Sequence, residues 1–208
     1  MKFRGSWAWG GDELHLPGNM LKTALLGGLL ALARARSAIS FAEDAQCGLD
    51  ASSCPGSPVN KHAACSVSIQ FKNSCADVQE EISARIAKNM DRKSHPGQYK
   101  EISDAGTCTK GSRTTGSGAQ PGPYTDIFGF AFRQAGNSCS VHACSESQVR
   151  SLCDYSTNFC NLFNLFCSSA DGCAHALHDL SYTYSTGTSC DHTSSCGGVE
   201  ADPKMCTR

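Results

Sequence analysis

The sequence lacks the short motifs that mark several kinds of active site. It contains no C-x-x-C pair, from which structural zinc sites usually draw their ligands, and no G-x-S-x-G turn, which carries the nucleophile of many serine hydrolases. It also contains no N-x-S/T triplet, so we expect no N-linked sugar. On these grounds we expect neither a metal nor a cofactor.

An excess of charge of one sign is absent too. The chain has 18 lysine and arginine residues against 19 acidic residues, so nothing steers it globally towards a nucleic acid. Charged residues make up only 18% of the chain and aromatic residues 8%. Ion pairs and aromatic packing are therefore modest, which fits a chain that depends on covalent cross-links.

Cysteine is what the chain has in quantity: fourteen residues, all after residue 46. They are Cys47, Cys54, Cys65, Cys75, Cys108, Cys139, Cys144, Cys153, Cys160, Cys167, Cys173, Cys190, Cys196 and Cys206. An even number of cysteines behind an apolar leader is typical of an oxidising compartment, where structural disulfides persist. We predict a disulfide-rich domain, although the spacing alone leaves the pairing of the cysteines open.

The apolar run over residues 24–33 is too short to anchor the chain in a membrane. It is ten residues long, whereas a helix that spans a bilayer needs about 20. A lysine precedes it and small residues follow at 38–42, which is the pattern of a signal peptide. We predict a signal peptide over residues 1–40, with Met20 as an alternative start, and a secreted protein without a transmembrane anchor.

The junction SAISFA gives an alternative compartment. It resembles the junction of bipartite leaders that send proteins into plastids bounded by extra membranes. The acidic residues that follow it disagree with a transit peptide, which is basic and poor in acidic residues. Secretion is therefore the first prediction, and a plastid (thylakoid) lumen is the alternative.

Behind the leader, composition divides the chain into three parts. Residues 41–64 combine two cysteines and two prolines with few large apolar side chains, and predict an irregular arm. Residues 65–167 carry the periodic patterns of a core domain. Residues 168–208 have few aliphatic side chains and predict a tail that its cysteines tether to the core.

The first half of the core domain predicts a strand, a helix and a second strand. Polarity alternates over residues 65–71, as in a half-buried strand. Ser74 is a capping residue, and apolar residues then recur every fourth position to predict a helix over 75–90. A short strand is expected near Tyr99 to Ile102. A loop rich in glycine, serine and threonine follows it, with no core-forming residue until Tyr124.

The second half predicts a hairpin and a second helix. Phe128, Phe130 and Phe132 share one face of a strand and are expected to fill the core, while Gly129 and Ala131 leave the other face bare for a close neighbour. The turn AGNS then leads to the partner strand CSVHAC. Apolar spacing after residue 157 predicts the second helix. The predicted fold class is α+β: a small, mainly antiparallel sheet with two helices, rich in disulfides.

Six polar residues between the hairpin and the second helix are candidates for a binding groove beside the sheet. They are Ser145, Ser147, Gln148, Asp154, Asn158 and Asn161. We favour a structural interpretation over this one, in which Asp154, Ser156 and Thr157 hydrogen-bond to the local backbone and turn the chain into the helix.

The sequence offers one candidate catalytic pair, His178 with Asp179. The stretch DGCAHALHDLSY resembles the histidine–aspartate helix of secreted phospholipases A2, which implies a calcium-dependent lipase. That family places two adjacent cysteines before its histidine and a glycine-rich loop upstream, whereas this chain has Cys173 alone. We expect no catalytic role for the pair and keep a lipase-like hydrolase as an alternative.

The core domain resembles a family of uncharacterised, secreted, cysteine-rich proteins of algae and other protists. The resemblance spans Cys65 to Cys173, and its most specific part is CSESQV followed by DYSTNFCN. In the family a tryptophan-bearing DPHN segment precedes the second strand, and this chain keeps only His95-Pro96 of it. The resemblance implies a secreted, disulfide-stabilised fold and no known reaction.

The sequence therefore predicts a non-enzymatic domain, secreted or lumenal, that binds a protein partner or a small apolar ligand. The first alternative is an accessory subunit of a photosynthetic membrane complex in the plastid lumen. The second is the hydrolase that uses His178 and Asp179.

Overall fold

A computed structural model describes residues 47, 49, 54–91, 96–115, 123–151, 153–185, 189–190 and 201–207. The predicted signal peptide lies outside these residues. The described part has the predicted α+β, disulfide-rich architecture, built on an antiparallel sheet of seven strands. No helix in these ranges is long and apolar enough to cross a membrane.

The strands are β1 (Ala64–Phe71), β2 (Gly97–Ala105), β3 (Cys108–Thr115), β4 (Thr125–Ala135), β5 (Ser138–Ser147), β6 (Tyr182–Tyr184) and β7 (Ser189–Cys190). Their spatial order is β2-β3-β4-β5-β1-β6, and β7 pairs with β1 on the same side as β6. The helices are α1 (Cys75–Ala87), α2 (Thr157–Phe166) and α3 (Pro203–Cys206), with a 3-10 turn at Ser169–Asp171. The two predicted helices are present, and α3 is an additional single turn.

The prediction of a loop after residue 105 was wrong, because β3 lies there. This strand has no large apolar side chain, so its pattern resembles a loop. Its Gly111 lies opposite Phe128 on β4, and a Cβ atom at Gly111 would collide with that ring and lie 2.9 Å from the carbonyl oxygen of Lys100. The glycine therefore leaves the space that the phenylalanine ring fills.

Helix α1 begins and ends with polar side chains. The Ser74 hydroxyl accepts a hydrogen bond from the Asp77 amide at 3.2 Å, which confirms the predicted cap. After the helix, Asn89 adopts a left-handed conformation with φ of 50°. Its side chain accepts from the Tyr99 amide at 2.7 Å and donates to the Gly97 carbonyl at 3.1 Å, and thus covers the start of the edge strand β2.

The face of the sheet that meets α1 and α2 holds the main core. Phe128, Phe130 and Phe132 are at most 3% exposed, which confirms that they fill the core. Their ring centroids lie 6.1 and 6.4 Å apart along β4. Burial of each ring contributes about 2–3 kcal/mol to the free energy of folding.

The opposite face of the sheet holds a second, smaller core. Leu49 is 1% exposed, and its Cδ1 atom would lie 3.1 Å from a Cβ atom at Gly129. The predicted close approach to the bare side of β4 is therefore present. Two disulfides hold the arm on this face, from Cys47 to Cys108 on β3 and from Cys54 to Cys144 on β5.

Six disulfides lie wholly within the described residues. They are Cys47–Cys108, Cys54–Cys144, Cys65–Cys190, Cys75–Cys139, Cys160–Cys206 and Cys167–Cys173. Cys153 is also disulfide-bonded, and no described cysteine is a free thiol. In the chain-entropy account, closing 6 residues contributes about 2 kcal/mol and closing 125 residues about 5 kcal/mol.

Substitution of Gly111 tests the packing of the central strands. Gly111→Ala is expected to lower the free energy of unfolding by about 1–3 kcal/mol, because the methyl group meets both the Phe128 ring and a backbone carbonyl. Gly129→Ala is the matched control, since the flexible Leu49 side chain can yield there. Urea unfolding of both variants is the measurement, and an equal loss in both would contradict this account of β3.

Candidate functional site

Helix α2 carries a row of three asparagines that faces the protein interior. Asn158, Asn161 and Asn164 recur every third residue and are 0%, 1% and 8% exposed. Phe159 and Phe163 are also buried, so the helix is covered on both sides. We call these three residues the asparagine stripe. An amide side chain in such a place is stable only when it is hydrogen-bonded.

Asn158 joins three segments of the chain at the start of α2. Its side-chain Nδ2 atom donates to Asp154 Oδ1 at 2.7 Å and to the Ala63 carbonyl at 3.2 Å. Its Oδ1 atom accepts from the Ser145 hydroxyl at 2.7 Å. Asp154 also accepts from the Asn158 backbone amide at 3.0 Å, as the structural interpretation of this aspartate predicts.

Asn161 connects the middle of α2 to the sheet. Its Nδ2 atom donates to Asp126 Oδ2 at 2.8 Å and to Ser145 Oγ at 3.1 Å, while the Ser147 hydroxyl donates to Asp126 Oδ1 at 2.5 Å. The Asn161 Oδ1 atom is buried without a hydrogen-bond partner among the described residues. Sequence reasoning missed Asp126; the available signal was its position two residues before Phe128, in phase with the core face.

Asn164 continues the network towards the edge of the sheet. Its Nδ2 atom donates to Asp91 Oδ1 at 3.1 Å, and Asp91 Oδ2 accepts from Arg113 at 2.8 and 3.0 Å. Burial acts to lower the pKa of Arg113, but the hydrogen bond to Asp91 and the charges of Asp91 and Asp126 raise it overall. The guanidinium therefore stays charged in the interior, held by the aspartate beside it.

The structure brings together five of the six residues predicted as a binding groove. Ser145, Ser147, Asp154, Asn158 and Asn161 form one network, and all except Asp154 are buried. A binding role for them stays a prediction.

The sixth residue, Gln148, lies apart from the network. It holds the arm, since its amide nitrogen donates to the Gly56 carbonyl at 3.1 Å. Its backbone amide donates to the Thr125 carbonyl at 2.8 Å. A direct binding role for it also stays a prediction.

Two residues in the left-handed region connect this network to the surface. Tyr155 and Ser156 have φ of 50° and 61°, a region that costs non-glycine residues about 1–2 kcal/mol each. Ser156 is 2% exposed, whereas Tyr155 is 63% exposed. The Thr157 amide donates to the Asp154 carbonyl at 2.9 Å, so Asp154 and Asn158 hold this turn from both sides.

A buried ion pair on α1 is a second polar centre that sequence reasoning missed. Glu81 and Arg85 are 0% and 1% exposed and lie one turn apart, with 2.5 Å between Arg85 Nε and Glu81 Oε1. Arg85 also donates to the carbonyls of Asn164 at 3.0 Å and Cys167 at 2.8 Å, at the end of α2. The signal available in the sequence was the i, i+4 spacing of opposite charges.

Glu81 accepts hydrogen bonds from three consecutive backbone amides of the tail. These are the amides of Ala176, Leu177 and His178, at 2.7, 2.6 and 2.7 Å. Burial acts to raise the pKa of Glu81, but these amides and Arg85 outweigh it and lower the pKa to about 2. The carboxylate therefore remains ionised at neutral pH although water does not reach it.

The two residues of the candidate catalytic pair have separate hydrogen-bond partners. His178 Nε2 lies 3.0 Å from Glu80 Oε2, and Asp179 accepts from the Ser169 backbone amide at 2.8 Å and from the Ser169 hydroxyl. Both residues lie outside helices, between the 3-10 turn and β6. The hydrogen bonds from Ser169 lower the pKa of Asp179. A hydrolase role for the pair stays the alternative that the sequence left open.

Metal-ligating side chains do not converge in the ranges that the structure describes: no three His, Cys, Asp or Glu residues there are placed to share an ion. The interior carboxylates instead accept hydrogen bonds from amide, hydroxyl and guanidinium groups of the protein itself. Such an arrangement fixes α2 against the sheet and orients the turn that exposes Tyr155.

Asn158→Ala tests the network at a residue whose side chain makes three of its hydrogen bonds. It is expected to lower the free energy of unfolding by about 2–3 kcal/mol, because the buried Ser145 hydroxyl and the half-buried Asp154 carboxylate each lose a hydrogen-bond partner. Asn60→Ala, at an exposed position, is the control and should leave stability unchanged. Chemical denaturation measures both, and a loss below the control's scatter would contradict the network.

Glu81→Gln tests the ion pair through its pH dependence. The lowered pKa means that Glu81 stabilises the fold fully above its ordinary value of 4.5 and loses that contribution as the pH falls towards 2. At pH 7 the variant should be less stable by about 3 kcal/mol, since Arg85 loses its counterion. The difference between wild type and variant should shrink between pH 4.5 and pH 2. A constant difference in acid titrations followed by circular dichroism would contradict the assignment.

Comparison with known proteins gives no family for this chain. No protein-family model matches it, and neither does any curated protein. Among solved structures it matches a truncated norcoclaurine synthase from Thalictrum flavum, at 14% identity and a TM-score of 0.26. That match covers 44% of this chain and 79% of the other. A likeness of this size assigns neither a fold nor a function.

Proposed function

We propose that this protein is a non-enzymatic, disulfide-stabilised domain of an oxidising compartment that binds a protein partner through the surface around Tyr155. The first compartment proposed is the extracellular space, and a plastid lumen is the second. Tyr155 carries the proposal, because its exposed ring stands on a strained turn that the hydrogen bonds between Asp154 and Asn158 hold in place.

The disulfides support the compartment. Of the six bridges within the described residues, two join the arm to the sheet, Cys65–Cys190 joins the tail to β1, and Cys160–Cys206 joins the tail to α2. The Cys65–Cys190 bridge closes 125 residues, and a reducing compartment would remove its stabilisation. A chain built in this way keeps its binding surface only where disulfides persist.

The filled interior favours a protein partner over a small apolar ligand. The phenylalanine row between the sheet and the helices is buried, and Tyr99 packs edge-on against Phe128 with 5.8 Å between ring centroids. The space that would receive an apolar ligand is thus occupied by the protein's own rings. Binding at the surface requires no such space.

Rigid display is what makes Tyr155 suited to anchor a partner. Tyrosine buries a large area at a small cost in side-chain entropy, and aromatic anchors dominate the energy of many interfaces. The backbone beneath Tyr155 is fixed by the Asp154–Asn158 hydrogen bonds, so little further ordering is needed on binding. Strain in a turn of this kind persists where the surrounding structure overdetermines it.

Two exposed basic residues, Lys61 and Arg150, lie on two segments that are hydrogen-bonded to each other. The Ser151 amide donates to the Lys61 carbonyl at 3.2 Å, which places Lys61 beside the segment that carries Arg150. Both side chains are exposed. We therefore propose a partner that presents an acidic surface, for which such charges raise the association rate.

The test places a photo-reactive phenylalanine analogue at position 155 in the full chain, with position 184 as the matched control. Tyr184 is also an exposed tyrosine, at 41%, but it lies on β6. Cross-linking in the native medium should yield one acidic protein from position 155 and none from position 184.

Affinity measurements on that cross-linked protein complete the test. Tyr155→Ala should weaken its binding by about tenfold or more without a change in unfolding temperature, and Arg150→Glu should mainly slow association. Equal cross-linking from both positions, or unchanged binding by Tyr155→Ala, would overturn the proposal.

A further inference from the structure

Among the described sulfur contacts, those of the Cys167–Cys173 bridge include a cationic donor. The Cys167 Sγ atom lies 3.4 Å from Arg85 Nη1, a cationic N–H donor. Sulfur atoms of other bridges lie near backbone carbonyl oxygens instead. Those contacts are Cys47 to Phe130 at 3.1 Å, Cys206 to Asp202 at 3.7 Å, Cys139 to Ser140 at 3.9 Å and Cys144 to Ser145 at 4.0 Å.

The chemistry of exchange makes this difference matter. A disulfide opens when a thiolate attacks one sulfur and the other leaves as a thiolate, and a stabilised leaving thiolate departs faster. A guanidinium N–H donor stabilises that leaving charge, whereas a carbonyl oxygen repels it. Arg85 is held in place by Glu81, so the donor is already positioned before the bond breaks.

The exposure of the two cysteines also favours Cys167 as the sulfur that leaves. Cys173 is half-buried between exposed neighbours, while Cys167 is 2% exposed. An incoming thiolate therefore reaches Cys173, and the sulfur that leaves is the one beside Arg85. In Cys75–Cys139 the reachable sulfur is Cys75, and the leaving sulfur would be the buried Cys139 beside a carbonyl oxygen.

The fold around this bridge has other supports. The bridge closes only six residues, so its loss returns little chain entropy to the unfolded state and destabilises the fold only slightly. The adjoining tail stays bound because three of its backbone amides donate hydrogen bonds to Glu81. The Tyr182 hydroxyl also donates to Asp171 at 2.9 Å. The bridge can therefore open while the domain stays folded.

We propose that Cys167–Cys173 is a thiol–disulfide exchange site whose substrate is a dithiol of another protein in the same compartment. A thiolate of the dithiol bonds to Cys173 Sγ, and the bond to Cys167 breaks with its electron pair on Cys167 Sγ, beside Arg85. The second thiolate of the dithiol then attacks its own partner sulfur and releases the Cys173 thiolate. Two protons from the dithiol end on the two cysteines, so the dithiol is oxidised and the bridge is reduced.

The first experiment measures which bridge opens first in the native, full-length protein. Dithiothreitol serves as the probe dithiol, free thiols are trapped by alkylation at timed intervals, and peptide mass spectrometry assigns them. Cys167 and Cys173 should be labelled about tenfold faster than Cys75 and Cys139, while circular dichroism stays native. Prior opening of Cys75–Cys139, or simultaneous opening of all bridges with loss of structure, would overturn the proposal.

Arg85→Lys separates leaving-group stabilisation from a merely structural role. A lysine ammonium keeps the charge but cannot reach the sulfur and both carbonyls as the planar guanidinium does. Slower opening of Cys167–Cys173 in the variant supports the proposal, whereas faster opening would mean that Arg85 only tightens the structure. If the variant does not fold, the order of opening in the native protein still decides the proposal.

Discussion

The buried pair of Glu81 and Arg85 is the interaction on which the helical layer depends. An isolated charge in the interior is destabilising by several kcal/mol, so each of these side chains needs the other and a full set of hydrogen bonds. Glu81 obtains them from three amides of the tail, and Arg85 from carbonyls at the end of α2. The pair thus joins α1, α2 and the tail at one point, and it orients the guanidinium beside Cys167.

The asparagine stripe has the corresponding role between α2 and the sheet. An all-apolar face would pack α2 against the phenylalanine row with little preference for one rotation over another. The side-chain amides of the stripe donate hydrogen bonds to Asp126, Ser145 and Asp91. These bonds fix the rotation of α2 about its axis, because turning the helix would leave buried polar groups without partners. Such a network adds little net stability, and the disulfides supply what it does not, at about 2–5 kcal/mol each.

Local periodicity and capping were enough to predict β1, α1, the β4–β5 hairpin and α2, because each has a pattern of its own within about ten residues. The strand β3 was not predicted, because its inward position is the glycine Gly111 and the core space beside it is filled by Phe128 from the neighbouring strand. The local sequence of β3 therefore shows no apolar alternation. The same limit applies to the site. Ser145, Asp154, Asn158 and Asn161 stood out as a polar cluster, whereas Asp126 and Glu81 look like solvated charges until the tertiary structure buries them.

The two proposed sites lie at opposite ends of α2 and should act independently. Tyr155 precedes the first turn of the helix, and Cys167 follows its last, about 15 Å away along the axis. Between them the helix is held to the sheet by Asn158 and Asn161, and to α3 by the Cys160–Cys206 bridge. Opening Cys167–Cys173 leaves those contacts intact, so we expect a structural change at that end not to reach Tyr155. Coupling between two sites requires an element with two arrangements that both sites bias, and α2 is held in one.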